Sequence, residues 1–110
     1  MPKPVPVAKA TDLDPGNCLS VEVDGYGLAL FNVEGTIYVL DNTCPHAGGP
    51  LGEGTLQGEI VECPWHGWRF NVRTGERPEN PDFKVTCYPV EVRDNEIRVM
   101  LPLASDKKQT

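Results

Sequence analysis

Cys44-Pro45-His46 and Cys63-Pro64-Trp65-His66 are the two stretches on which the reading of this chain turns. Residues 47–62 separate them, and together they hold both histidines of the protein and two of its four cysteines. Cys44 and His46 are i and i+2, and the expectation is that the first stretch bends to turn both side chains inward on one centre. Pro45 fixes the φ between them, and Ala47-Gly48-Gly49 lets the backbone turn afterwards. Cys63 and His66 are three apart, a spacing that suits a tight turn, again with a proline directly after the cysteine. Each stretch therefore offers one thiolate and one imidazole. Thiolates favour iron–sulfur clusters or zinc, and imidazoles suit iron and zinc alike, so a metal centre is the first expectation.

Outward from these stretches the sequence reads as β-structure. Leu19, Val21 and Val23 alternate with Ser20 and Glu22, the pattern of a half-buried strand. Asp24-Gly25-Tyr26-Gly27 reads as a turn, Leu28 to Val33 as a second strand, Glu34-Gly35 as another turn, and Thr36 to Leu40 as the third strand of a meander. Thr11-Asp12-Leu13 starts a single helical turn that Pro15-Gly16 stops. Near the other end, Tyr88, Val90 and Val92 alternate as one strand, with Pro89 at an edge or bulge. Arg93 to Glu96 turns the chain into a return strand, Ile97 to Leu101. Residues 42–85 are different: rich in glycine and proline, with only two short strand candidates, Gln57 to Glu62 and Trp68 to Val72, and a turn at Arg73-Thr74-Gly75-Glu76. The expectation is one all-β domain over residues 1–110. An antiparallel β-sandwich base, residues 1–41 and 86–103, carries an inserted cluster-binding subdomain, residues 42–85, and ends in a polar tail, residues 104–110.

Bulk properties agree and remove several function classes. A chain of 110 residues is one domain, able to bury a modest core without disulfides. Eleven glycines and eleven prolines favour turns over helix. The net charge of -6 argues against nucleic acid, which needs clustered Lys and Arg, and suits docking on a basic protein surface. Residues 1–10 lack the apolar run of a secretory signal, and no run is long enough to span a membrane. With two cysteines in metal spacing, a reducing cytoplasm is the expected setting. Cys18 and Cys87 then read as small residues on strand faces opposite the main apolar side chains.

Zinc is the competing occupant. Structural zinc sites pair like with like, C-x2–4-C with H-x3–5-H or a second C-x-x-C, whereas here each pair is mixed and one is split by a single residue. Mixed pairs are the pattern of a Rieske [2Fe–2S] site, in which two His replace two Cys on one iron. The segments Cys44-Pro-His46-Ala-Gly-Gly-Pro-Leu and Glu62-Cys63-Pro-Trp-His66-Gly-Trp-Arg-Phe-Asn71 resemble the Rieske-type ferredoxins, most closely the small ferredoxins of bacterial ring-hydroxylating oxygenase systems.

The resemblance implies a Rieske iron–sulfur fold and one [2Fe–2S] cluster. Cys44 and Cys63 would hold the inner iron, and His46 and His66 the outer iron near the protein tip. Pro45, Gly48, Pro64, Trp65, Trp68 and Pro81 would cover the cluster or line the docking face, with Pro78-Glu79-Asn80-Pro81 as a third covering loop. Trp68 reads first as plain packing. The implied function is one-electron transfer from a flavin-dependent ferredoxin reductase to a terminal oxygenase, with transient docking near His46 and His66. No residue is catalytic, and the chain turns over no substrate alone. The small Rieske-like subunit of a nitrite reductase is the alternative within the fold; a zinc-bound interaction module is the one outside it. The chain departs from the high-potential branch of the family at three positions. Gly49 and Trp65 stand where that branch has two disulfide-forming cysteines, and Trp68 stands where it has a serine that donates to a cluster sulfur. Fewer donors stabilise added charge less well, so the expected midpoint is low, roughly -150 mV.

Overall fold

The computed structural model describes residues 3–23, 25–43, 49–65 and 67–101. Among these residues twelve strands run in chain order: β1 (Lys3–Lys9), β2 (Cys18–Val23), β3 (Tyr26–Val33), β4 (Thr36–Asp41), β5 (Thr55–Gln57), β6 (Ile60–Glu62), β7 (Arg69–Asn71), β8 (Glu76–Arg77), β9 (Asn80–Lys84), β10 (Cys87–Tyr88), β11 (Val90–Arg93) and β12 (Glu96–Leu101). Two single 3₁₀ turns, Ala10–Asp12 and Leu51–Glu53, are the helical elements among the described residues. The fold is all-β, and every strand pair among the described residues is antiparallel.

A four-stranded sheet, ordered β10-β4-β3-β2, lies at the centre. Its register explains the core. Leu28, Leu30, Ile37 and Val39 point to one face, where Ile97, Val99 and Leu101 of the sheet β1-β12-β11 cover them. Ala29, Phe31 and Leu40 point to the other, against Leu51, Val61, Cys63, Phe70, Val72 and Val85. Both faces of β3 are covered, so residues 28–32 form an unbroken buried run rather than an alternating one. Asn32 is the polar member of that run. It is satisfied by donating from Nδ2 to the Leu13 carbonyl (2.8 Å) and accepting at Oδ1 from Gly35 N–H (2.7 Å). Two tight hairpins keep this register: Glu34 and Gly35 have φ of 51° and 96°, Asp94 and Asn95 φ of 52° and 66°, which is type I′ geometry.

Three expectations need correction, and one strand is new. The turn expected over residues 24–27 is shorter, because Tyr26 and Gly27 already pair with Val23 and Glu22 as the start of β3; Asp24 lies outside the described residues. Residues 57–62 are not one strand but the hairpin β5–β6, turned by Gly58 at φ 62°. Residues 88–92 are also not one strand: at Pro89 the chain leaves the central sheet as β10 and enters the outer sheet as β11, since proline supplies no N–H to continue the ladder. The strand β1 has no counterpart in the sequence reading. Pro4 and Pro6 mask its pattern, yet β1 pairs only with β12, so it is an edge strand with a bulge after Pro6, where proline is tolerated.

Candidate metal centre

The first ligand stretch hangs from the end of β4. Residues 44–48, which include Cys44, Pro45, His46 and Gly48, lie outside the described residues, as does His66. The stems of the first loop are described. Thr43 and Pro50 form an antiparallel bridge, and Leu51 N–H donates to the Asn42 carbonyl (2.9 Å). The second loop is the turn of the β6–β7 hairpin. Glu62 pairs with Arg69, Cys63 N–H donates to the Trp68 carbonyl (2.7 Å), and Gly67 takes φ 73°, a value that would strain other residues.

The two loops touch at Gly49. A β-carbon there would stand 2.8 Å from Cys63 Sγ and 2.9 Å from Trp65 Cγ. Only a residue without a side chain lets the first loop lie so close to the second. Cys63 itself is 1% exposed, a member of the core, so its thiol sits at the floor of the junction rather than at its rim. Pro64 and Trp65 stand outward, with Trp65 half exposed. This arrangement fits a thiolate-bound cluster: a soft sulfur donor on a buried floor with a glycine wall beside it. Among the described residues no group of three His, Cys, Asp or Glu side chains gathers to hold a metal.

The stretch expected to be a third loop is the tip of the β8–β9 hairpin, with Pro78 and Glu79 at the turn and Pro81 exposed on β9. Trp68 joins this hairpin to the second ligand loop. The Arg77 guanidinium lies 3.9 Å from the centre of its ring, Phe83 meets it edge-on at 5.2 Å, and Phe70 packs at 6.4 Å. Glu79 pairs with Arg69 (3.2 Å) and Arg77 (3.7 Å). Trp68 is thus a packing residue of the second loop, while Trp65 is the outward one. Arg77 and Phe83 had escaped the sequence reading, because nothing in their spacing marks a residue that reaches across a hairpin.

Cys18 and Cys87 are outside this centre. Cys87 pairs with Leu40 and Cys18 with Phe31, so three strand-to-strand steps separate them. That is about 14 Å, and a disulfide spans at most about 7 Å between α-carbons. Burial raises the pKa of the Cys18 thiol, and burial followed by the nearby Glu76 carboxylate raises that of Cys87. Both thiols are therefore poor nucleophiles at neutral pH.

The model of the Rieske [2Fe-2S] domain matches residues 3–89. The ferredoxin component of the naphthalene 1,2-dioxygenase system of Pseudomonas putida is 40% identical over 95 residues, covering 86% of this chain and 89% of that protein. The ferredoxin solved in complex with the oxygenase of carbazole 1,9a-dioxygenase superposes with a TM-score of 0.80 at 37% identity, over 87% of this chain and 91% of its own. A Mycobacterium tuberculosis chain provisionally assigned as the small subunit of an NADH-dependent nitrite reductase superposes with a TM-score of 0.84 over 94% of this chain and 99% of its own, but at 23% identity, a likeness of fold alone.

Proposed function

The chain belongs to the Rieske [2Fe–2S] domain family, and from that premise we propose that Cys44 and Cys63 hold the inner iron and His46 and His66 the outer iron of its single cluster. The protein is a ferredoxin component of a ring-hydroxylating dioxygenase system, a carrier of electrons and not itself the catalyst. When bound, the cluster accepts and returns one electron. Everything else falls to the chain. Cys63 anchors from the core, Gly49 admits the first loop, and Pro64 and Trp65 shape the exposed rim beside His66. The observation that supports the ligand reading is that a β-carbon at Gly49 would stand 2.8 Å from the buried Cys63 sulfur, so the chain just beyond the Cys44/His46 stretch runs close to Cys63.

The partner reading is that a flavin-dependent reductase loads the protein and a terminal oxygenase unloads it, both docking near His46 and His66 in the cytoplasm. The relative solved with its oxygenase supports the second half of that reading. No helix among the described residues is long and apolar enough to cross a membrane. The nitrite reductase alternative rests on fold likeness alone.

The test is direct. Purified protein is expected to contain two irons and two sulfides per chain and no stoichiometric zinc, with a Rieske EPR signal on reduction. Cys63→Ser and Cys44→Ser are expected to abolish the visible absorption; retention of a full cluster in either would refute the ligand assignment.

A further inference from the structure

Asn42, the residue directly after β4, makes more loop-closing bonds than any expectation from the sequence gave it. Its N–H donates to the Gly27 carbonyl (3.0 Å), which ties it to the start of β3. Its carbonyl accepts from Leu51 N–H (2.9 Å). Its side-chain Oδ1 accepts from Gly52 N–H (2.7 Å) and faces the Ser20 hydroxyl on β2 at 3.4 Å. One residue thus holds the outgoing stem of the first loop through its own backbone and the returning stem through residues 51 and 52. The returning stem is pressed close: a β-carbon at Gly52 would collide with Ser20 Oγ and lie 2.9 Å from the Leu19 carbonyl.

We infer that Asn42 is the positioning residue of the first ligand loop, its side-chain oxygen fixing the returning stem on β2 and so holding both ends of the segment that carries Cys44 and His46. The inference rests on the ligand assignment proposed above. The physical basis is pre-organisation. A segment carrying two metal ligands binds best when its ends are already placed, because the metal then does not have to supply the ordering of the loop. The Thr43–Pro50 bridge closes the loop on itself, but it does not attach the loop to the sheet. The Asn42–Gly52 bond does, because Asn42 is also hydrogen-bonded to β3 and Gly52 lies against β2. The chemistry required at position 42 is an acceptor of this reach. Aspartate supplies it; leucine has the shape without the acceptor and leaves the Gly52 N–H unpaired.

The experiment compares the holoprotein with Asn42→Leu, Asn42→Asp and Cys44→Ser. Asn42→Ala, with no added branch, replaces the leucine variant if that one does not accumulate. The readouts are the rate of loss of visible absorption under a chelator, the g values of the reduced protein, and far-UV circular dichroism. N42L is expected to lose its cluster about tenfold faster than wild type, with shifted or broadened g values and an unchanged β spectrum. N42D is expected to stay within about twofold, because the acceptor is kept. Equal rates and g values in N42L and wild type would overturn the inference, as would an N42D protein as labile as N42L. So would cluster loss that tracks loss of the β spectrum, which would mark Asn42 as a residue of the whole fold. The ligand assignment is judged separately, by C44S: if that variant retains the cluster, the assignment fails whatever Asn42 does.

Discussion

At Gly49 a single methyl group decides whether the two ligand loops can meet. Gly49→Ala would place its β-carbon against Cys63 Sγ and the Trp65 ring at once, and crowding of this kind costs about 1–3 kcal/mol. Purified G49A is expected to hold clearly less iron per chain than wild type. Adding Trp65→Ala is expected to recover only part of it, since the sulfur remains in the way; metal analysis of the single and double variants checks both. The position was legible in the sequence as a departure from the disulfide-bearing branch, but its role was not. Sequence comparison says what is missing, a cysteine, and the structure says what takes the space, an indole ring. At Cys87 the expectation concerns reactivity. The thiol is exposed, yet burial of its surroundings and Glu76 hold its pKa above the ordinary thiol range. At pH 8 iodoacetamide is therefore expected to modify it more slowly than glutathione, with the rate still rising above pH 9, as the thiolate forms late. Mass spectrometry of timed samples reads this directly.

Among the elements, the hairpin β8–β9 shows how unequal apparently similar contacts are. Arg69 and Arg77 both reach Glu79, but Arg69 has an exposed side chain and Arg77 is three-quarters covered and lies over Trp68. An exposed ion pair contributes a few tenths of a kcal/mol, whereas a partly desolvated cation over an indole contributes about 1 kcal/mol. Arg77→Ala is expected to lower the thermal midpoint of the holoprotein by roughly 5 °C and Arg69→Ala to leave it almost unchanged. The meander β2–β3–β4 and its second turn could be read from alternation and from Glu34-Gly35 because local chemistry alone specifies a type I′ hairpin, whereas the first turn was read too long, Tyr26 and Gly27 already pairing within β3. The strand β1 and the change of sheet at Pro89 could not, since proline carries the same sign in the sequence whether it ends a strand, borders a sheet or passes the chain between two. The β8–β9 hairpin was hidden for a related reason: its strands are short and mostly exposed, and what holds them is a contact to Trp68 that no periodicity records.

For the whole molecule, the net charge of -6 gives encounter with partners a long-range component. The rate of electron transfer with the proposed reductase and oxygenase is expected to change steeply with ionic strength, and Trp65→Ala to raise the half-saturating concentration of this protein in a reconstituted assay without moving its midpoint. A midpoint above zero would remove the low-potential reading altogether. The central sheet has a further consequence. Asp41 N–H donates to the Thr86 carbonyl (2.9 Å), and β4 and β10 lie side by side, so residues 42–85 depart and return through one doorway. Adjoining ends open such a segment to transplantation: a short turn joining residues 41 and 86 would close β4 and β10 into an ordinary hairpin, and the excised piece would need from a new host two neighbouring strands, an apolar sheet face to rest on, and partners in place of the Gly27 carbonyl and the β2 surface that hold Asn42 and Gly52 here. Ala29, Phe31 and Leu40 are that face here, and they mark where a host sheet would have to be re-surfaced for electron transfer to be grafted onto another β-protein.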